Sequence, residues 1–176
     1  SIQCWVRLPA AESGDLLARG DVTAAQANAW ALHYDTASGR FSFQVAQDGN
    51  RLQTASAPWF PHRDAWHALA VTRDAGHRWR WFIDGELLSE STFPLRVPAN
   101  DAPAQIGAVL GERFLEFRID HLTFFDRALD PEEARAAYFT GHQRLLALTR
   151  APTDVLVAAG QPARLEVRAD GIPPIA

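Results

Sequence analysis

Apolar and polar residues alternate in short segments along most of the chain, and Gly, Pro, Asp or Asn separates one segment from the next. A period of two is typical of β-strands with one buried face, because successive side chains point to opposite sides of a strand. Many such segments predict an all-β antiparallel sandwich or barrel. The predicted strands are Ile2 to Leu8, Asp15 to Arg19, Ala29 to Asp35, Arg40 to Ala46, Arg51 to Ala55, Trp66 to Asp74, Arg78 to Asp84, Glu86 to Thr92, Ala104 to Ala108 and Phe114 to Phe125.

Turn residues predict how neighbouring strands connect. The segment 36–39 joins two alternating apolar triplets, which predicts a hairpin with one shared buried face. The triplets are Trp30, Leu32 and Tyr34, followed by Phe41, Phe43 and Val45. The dipeptides Asp48-Gly49 and Asp84-Gly85 favour two further tight hairpins.

The alternation slips once, near the end of the strand series. Ile119 and Leu122 are three residues apart, where a regular strand would separate inward side chains by two. A β-bulge at Asp120-His121 restores a single inward face.

One helix is predicted after the last strand. Asp130 is placed to cap its N-terminus, Pro131 suits the first helical position, and Glu133 is spaced for a capping box. The helix is expected to run to about Thr140 and to stop at Gly141. Its apolar stripe consists of Ala134, Ala137 and Tyr138.

Composition indicates one soluble globular domain with an appendage, since 47% of the 176 residues are hydrophobic and 22% are charged. The formal net charge of −4 argues against nucleic acid and anionic membrane as partners. No apolar run reaches the roughly 18–20 residues needed for membrane insertion. The single cysteine, Cys4, lies in an apolar strand and is predicted to be an inert buried thiol.

The pattern changes after Arg150, which divides the chain into 1–150 and 151–176. The second segment predicts two strands, and with Gly171-Ile172-Pro173-Pro174 it resembles the start of an immunoglobulin-like domain. An extra strand pair docked on the first domain is the alternative. The chain begins at Ser1 and has no methionine, so we expect it to be part of a longer bacterial protein.

Several motifs of the first segment resemble, in order, those of a laminin G-like module of the concanavalin A-like lectin/glucanase superfamily. The most specific is the closing run, where a bulged strand, an Arg-Ala-Leu turn and a capped helix occur together between residues 119 and 133. The earlier motifs are Ile2 to Arg7, Leu17 to Asp21, the Trp-His strand Trp66 to Thr72, the hairpin Trp81 to Gly85, and Ile106-Gly107. The resemblance covers residues 1 to about 141 and implies a two-sheet antiparallel jelly-roll sandwich with one short C-terminal helix.

The same resemblance implies calcium as a cofactor, with Asp120 as the residue most similar to a family ligand. Calcium needs about six to eight oxygen ligands, which the sequence does not assemble. The family's first strand has no counterpart here, and Phe117 stands where a glycine is usual. The alternative is that Asp120 only stabilises the bulge.

Sugar binding requires an exposed aromatic ring beside planar polar groups, because a sugar ring has apolar C–H faces edged by hydroxyls. The loop 58–64 offers such groups in Trp59, Phe60, His62 and Arg63. Exposed rings at Trp59 and Phe60 would favour binding, and buried rings would favour a plug at the end of the sandwich.

Arg78 and Arg80 alternate with two tryptophans, so the guanidinium groups should lie on the face opposite the indoles. That face is a candidate site for an acidic sugar, with a plain solvated strand as the alternative. The separation of rings from charges disfavours binding of single-stranded nucleic acid.

No catalytic pattern is present. The superfamily's retaining glycosidases carry Glu-x-Asp-x-x-Glu along one strand, which this sequence lacks. The histidines show no HExxH pattern. A divergent glycosidase would require two carboxylates within about 10 Å in one cleft.

These observations predict a non-catalytic carbohydrate-binding or adhesion module. Its partners would be a glycan or neighbouring domains of the same polypeptide. The resemblance implies an extracellular, cell-surface or periplasmic location. The first alternative is a structural or protein-interaction spacer beside a catalytic domain, and the second is the divergent glycosidase.

Overall fold

The computed structural model of the chain describes residues 1–8, 12–20, 22, 29–47, 51–62, 64–97, 99, 101–107, 114–144, 147–150 and 168–170. The strands are β1 Ile2–Arg7, β2 Gly14–Arg19, β3 Ala29–Asp35, β4 Arg40–Gln47, β5 Arg51–Pro58, β6 Trp66–Arg73, β7 Arg78–Ile83, β8 Glu86–Thr92, β9 Ala104–Ile106, β10 Arg118–Phe124, β11 Ala147–Arg150 and β12 Arg168–Asp170. The helix α1 spans Pro131–Arg144.

The strands form two five-stranded antiparallel sheets. Sheet A has the order β10-β1-β6-β7-β8, and sheet B has the order β5-β4-β3-β2-β9. The predicted all-β jelly-roll sandwich is confirmed. β11 and β12 form a separate pair, and the rest of the predicted tail, 151–176, lies outside the described residues.

The inner faces of the two sheets form the main core. Leu32 pairs with Phe43 in the predicted hairpin of sheet B, and the ring of Phe43 lies 5.1 Å from that of Trp79 in sheet A. Val6, Leu69 and Trp81 complete the sheet A side of this cluster. Each large apolar side chain buried in this way contributes about 1.5–3 kcal/mol, so alternation along the strands is sufficient to drive the two sheets together.

α1 packs on the outer face of sheet A, so this sheet is apolar on both sides. Trp5 is 1% exposed and stacks on Tyr138 at a centroid distance of 5.5 Å. Ala134 packs with Ala70 and Phe82. The tryptophan of the first strand therefore lies beneath the helix and outside the inter-sheet core.

The predicted capping box is confirmed at the start of α1. Asp130 Oδ1 accepts a hydrogen bond from the Glu133 amide at 2.8 Å, and Glu133 Oε2 accepts one from the Asp130 amide at 3.0 Å. The predicted stop at Gly141 is wrong, because the helix continues to Arg144. A glycine within a helix costs only about 1 kcal/mol relative to alanine, which the helix-compatible residues after it tolerate.

The predicted bulge in β10 is confirmed. Gln3 pairs with Thr123 and Trp5 with Asp120, which leaves one extra residue in β10. His121 has a φ of 49°, and its amide donates to Asp120 Oδ1 at 2.8 Å. β10 begins at Arg118 and not at Phe114, because the Leu115 amide bonds to the Gly107 carbonyl and so leaves the ladder with β1.

The hairpin at Asp84-Gly85 also forms, with φ values of 52° and 80°. The predicted turn at Asp48-Gly49 lies outside the described residues. No helix in the described part of the chain is long and apolar enough to cross a membrane.

Candidate functional site

The candidate site lies at one end of the sandwich, where the chain crosses from sheet B to sheet A between β5 and β6. The Trp59 amide donates to the Gly39 carbonyl at 2.8 Å, and the Asp64 amide donates to the Leu8 carbonyl at 3.0 Å. These two bonds fix the crossing segment, residues 59–64, at both of its ends. We refer to these residues as the crossing loop.

Trp59 is buried, with 8% of its surface exposed. Its ring packs against Phe41 at 4.9 Å and meets His67 edge-on at 5.2 Å. The expectation of an exposed ring at this position is therefore wrong. The cause is the length of β5, which runs three residues further than predicted, to Pro58, and delivers the next side chain into the core.

Phe60, the next residue, is 73% exposed. Its ring lies directly on the α-carbon of Gly39, where a Cβ would overlap the ring. The turn beneath it is held by Asp35, which accepts hydrogen bonds from the Ala37 amide and the Ser38 hydroxyl. The Ser38 bond is the main cause of a lowered pKa at Asp35. The exposed ring thus rests on a well-braced turn.

Two histidines, one in the crossing loop and one in β6, contact each other. His62 is exposed and stacks on His67 at a centroid distance of 6.2 Å. His67 Nδ1 is 2.8 Å from Asp84 Oδ2, while Asp84 Oδ1 accepts the Ala68 amide. His67 Nε2 is buried and has no hydrogen-bond partner among the described residues. This pair braces the crossing loop against the Asp84-Gly85 hairpin.

A cleft of about 170 Å³ opens at the sheet A end of the crossing loop. We name it the Arg7 cleft; its lining residues are Arg7, Asp64, Glu116, Phe117 and Arg118. Arg7 Nε donates to Asp64 Oδ1 at 2.9 Å. Arg7 and Arg118 lie directly opposite each other in the β1–β10 ladder.

The other predicted site residues lie elsewhere or outside the described part. Arg63 belongs to the residues that are not described. Arg78 and Arg80 lie opposite the buried Trp79 and Trp81, as predicted. Arg80 Nε pairs with Glu90 Oε2 at 2.7 Å. They are at the start of β7, whereas the crossing loop neighbours its end.

Asp120 does not meet a set of further acidic ligands. Its Oδ1 atom already accepts the amide that stabilises the bulge. Among the described residues, no group of three or more His, Cys, Asp or Glu side chains could hold a metal ion. Calcium binding at Asp120 stays a prediction of the resemblance.

The Arg7 cleft is the part of the site that the sequence did not predict. Its residues come from β1, the crossing loop and the segment leading into β10. Strand order brings them together, and alternation alone does not reveal strand order. The available sequence signal is Arg7, next to the end of its predicted strand, because Arg118 falls inside the predicted strand Phe114 to Phe125.

Two five-stranded sheets with a capped helix on one outer face define a lectin-like sandwich. The family model described as the concanavalin A-like lectin/glucanases superfamily, of the laminin G type, matches residues 1–135, and the chain belongs to this family. No curated protein sequence matches the chain.

Several solved structures share the fold. A carbohydrate-binding domain, the Ruminococcus gnavus IT-sialidase CBM40 bound to alpha2,3 sialyllactose, is 15% identical with a TM-score of 0.56, and the match covers 78% of this chain and 80% of that one. The botulinum neurotoxin type G receptor binding domain is 13% identical with a TM-score of 0.62, covering 79% and 37%. The binding domain of Paraclostridial Mosquitocidal Protein 1 is 14% identical with a TM-score of 0.59, covering 79% and 36%.

The chain thus spans little more than a third of the length of the two toxin structures. At these identities the likeness concerns the fold. All three structures are of binding domains or of a carbohydrate-binding module.

Proposed function

We propose that this chain is a non-catalytic glycan-binding module of a larger secreted or surface protein. The observation that carries the proposal is Phe60, an exposed ring held on the Gly39 turn. The sugar-bound CBM40 neighbour and the two binding domains of the same fold support it.

The physical basis is the amphipathic character of a sugar. An exposed phenyl ring offers an apolar surface to the C–H face of a sugar, and nearby polar groups bond to the hydroxyls at its edge. The crossing loop also carries the exposed polar side chain of His62, two residues after Phe60. A ring that is rigidly held loses little entropy on binding, which raises affinity.

The crossing loop is a better candidate than the arginine face of β7. Arg80 is bonded to Glu90, and Arg78 lies near Asp74 and Glu90 at 3.8 and 4.0 Å. An acidic sugar at that face would have to displace these carboxylates from the guanidinium groups. We also include Arg63 of the crossing loop among the proposed sugar-binding residues.

A spacer or protein-interaction module is the second candidate. The burial of Trp59 favours it, because the ring closes the end of the sandwich. Exposed Leu87 on β8 and exposed Phe139 on α1 offer apolar contact to a neighbouring domain.

The divergent glycosidase has one supporting observation, since Asp64 and Glu116 line the same cleft. A glycosidase acid needs apolar surroundings that keep it protonated. The Asp64 side chain is 61% exposed and bonded to Arg7, and Glu116 is exposed. Binding is therefore better supported than hydrolysis.

The test is a glycan-array screen of the wild-type protein and Phe60→Ala, with calcium and with a chelator. We expect the wild type to bind and Phe60→Ala to bind about tenfold more weakly, through loss of the stacking surface. Phe139→Ala is the control, because it removes another exposed ring, 50% exposed, from α1 and outside the crossing loop. Trp59→Ala is unsuitable, since a cavity of that size costs about 3–5 kcal/mol of stability.

Absence of wild-type binding to every glycan would reject the proposal in favour of the spacer. Equal losses in Phe60→Ala and Phe139→Ala would remove Phe60 from the site. Release of reducing sugar from a bound oligosaccharide would instead establish the glycosidase.

A further inference from the structure

The Arg7 cleft contains a pair of like charges, which does not stabilise the fold. Arg7 and Arg118 lie directly opposite each other on neighbouring antiparallel strands, and both line the cleft. Like charges in such a pair are destabilising. Such a pair is tolerated where neighbouring groups of opposite charge offset it.

The carboxylates of the cleft balance this charge. Asp64 accepts a hydrogen bond from Arg7, and Glu116 lies two residues before Arg118 on the same wall. The lining thus carries two positive and two negative groups, with a formal sum of zero. It offers strong donors and strong acceptors side by side.

Phe117 adds an apolar surface to the same lining. Its ring lies against Gly107, where a Cβ would approach Phe117 Cε1 to 3.3 Å. Gly107 has a φ of 79°, which an L side chain rarely adopts. The close approach therefore depends on glycine, and it fixes Phe117 between the main core and the cleft, which part of the residue lines.

We infer that the Arg7 cleft is a subsite for one neutral hexose residue of the glycan, an inference that rests on the proposed function. Each sugar hydroxyl both donates and accepts, so guanidinium and carboxylate groups together satisfy neighbouring hydroxyls. Phe117 contacts the C–H surface. A cleft of about 170 Å³ is smaller than the roughly 300–1,000 Å³ of drug-sized pockets, so it suits a single sugar ring.

Charge distinguishes this ligand from an acidic sugar. The carboxylate of an acidic sugar would meet Asp64 and Glu116 in the same small space, and like charges at such short range repel each other. A neutral hexose brings no such charge. Phe60 and Asp64 are four residues apart, so their α-carbons lie at most about 14 Å from each other, and a short oligosaccharide can contact both the ring and the cleft.

The experiment uses an array of galactose-, glucose- and mannose-terminated oligosaccharides beside sialylated, glucuronate-containing and sulfated ones. The two test variants are Glu116→Gln and Arg118→Gln, which remove one charge each from exposed positions. Glu132→Gln and Arg135→Gln make the same changes at exposed positions on α1. Melting temperatures verify that all four variants fold.

We expect the wild type to bind neutral oligosaccharides, and each cleft variant to bind at least about tenfold more weakly, because hydrogen bonds to charged groups are lost. The α1 variants should bind like the wild type. Wild-type binding that neither cleft variant weakens would overturn the subsite and leave the glycan-binding proposal standing. Binding restricted to acidic glycans would also overturn it, whereas no binding at all would reject the proposed function itself.

Discussion

Two consecutive residues of the crossing loop differ in burial, and the course of the backbone determines which of them is buried. Trp59 is 8% exposed and Phe60 is 73% exposed. The bond from the Trp59 amide to the Gly39 carbonyl extends the β4–β5 hydrogen-bond ladder by one residue. Trp59 therefore takes the inward position. Phe60 then has to point outward, because side chains alternate along an extended backbone.

The loop sequence marked both rings as candidates without distinguishing them. Alternation requires a starting phase, and the prolines that flank Trp59 and Phe60 obscured where β5 ends. The inward ring could be assigned only from the pairing of β5 with β4, which extends to Pro58. The outward direction of Arg78 and Arg80 was easier to predict, since they lie inside a strand whose alternation is clear.

At Cys4 the sequence and the structure lead to a direct chemical prediction. The side chain is 1% exposed, and burial raises the pKa of the thiol to about 12. At pH 8 only about one thiol in ten thousand is then ionised, and the thiolate is the reactive form. We expect the folded protein to react with a disulfide reagent far more slowly than the same protein in guanidinium chloride.

Ser91→Cys provides the comparison for this reaction, because position 91 is exposed on β8. That variant should show one rapidly reacting thiol beside the slow one. Rapid reaction of the native protein without the added cysteine would contradict the burial of Cys4.

The turns between elements are specified by residues that tolerate left-handed backbone. Gly85 has a φ of 80°, and a Cβ there would lie 3.1 Å from Tyr138 Cβ and 3.3 Å from the Arg135 α-carbon. Glycine at this position thus serves the β7–β8 turn and the docking of α1 together. The Asp-Gly motif predicted the turn, while the contact with the helix depended on tertiary structure.

Gly85→Ala should destabilise the protein by about 1–2 kcal/mol from the left-handed backbone alone, and by more once the helix is displaced. For a chain of this length the melting temperature should fall by at least about 2–8 °C. Gly76→Ala is the matched control, because that residue lacks a positive φ and its nearest neighbour is a movable Asp74 side chain. Equal melting temperatures for the two variants would contradict both the backbone strain at Gly85 and its close contact with α1.

The start of α1 shows how a local motif gains a long-range partner. Glu133 closes the capping box and also receives two hydrogen bonds of 2.6 Å from Arg127. The Arg127 side chain, followed by the Asp130 amide, lowers the pKa of Glu133 from 4.5 to about 2. The spacing of Asp130 and Glu133 predicted the cap, and Arg127 was not among the predicted partners.

A lowered pKa in the folded state fixes the sign of a pH effect. Glu133 stabilises the fold fully above pH 4.5, and this stabilisation is lost as the pH falls toward about 2. Between pH 5 and pH 2, we expect the melting temperature of the wild type to fall further than that of Glu133→Gln. The difference should be only about one or two degrees, because the Arg127–Glu133 pair is exposed. Glu132→Gln should behave as the wild type does; matching curves for all three proteins would contradict the role of Glu133.

At the scale of the whole molecule, alternation predicted an antiparallel sandwich or barrel, and the family resemblance implied the two-sheet jelly roll that the structure has. Alternation did not predict which strands meet at each end. The Arg7 cleft combines β1 with the approach to β10, about 110 residues later in the chain, and only the order of strands in sheet A places them together. A binding site assembled from strand ends is therefore less predictable than the core that supports it.

The distribution of charge over the molecule yields the last prediction. The net charge is −4, and in the described part of the chain the arginines with acidic partners within 4.0 Å include Arg7, Arg78, Arg80, Arg127 and Arg135. Such pairing leaves no extended basic surface among these residues, and a polyanion binds mainly by neutralising its charges on such a surface. We expect the protein to pass through a heparin column at about 0.15 M NaCl, where charges more than about 8 Å apart are screened.

The double variant Asp74→Asn/Glu90→Gln frees Arg78 and Arg80 of their partners. It should be retained longer than the wild type on the same column, and Glu132→Gln should not. Strong retention of the wild type would contradict this charge distribution, and it would also weaken the case for a neutral sugar, because a surface that holds heparin would attract acidic glycans first. Passage of the wild type with retention of the double variant would show that the arginines of β7 are held by their own carboxylates and that recognition depends on shape and hydrogen bonding elsewhere.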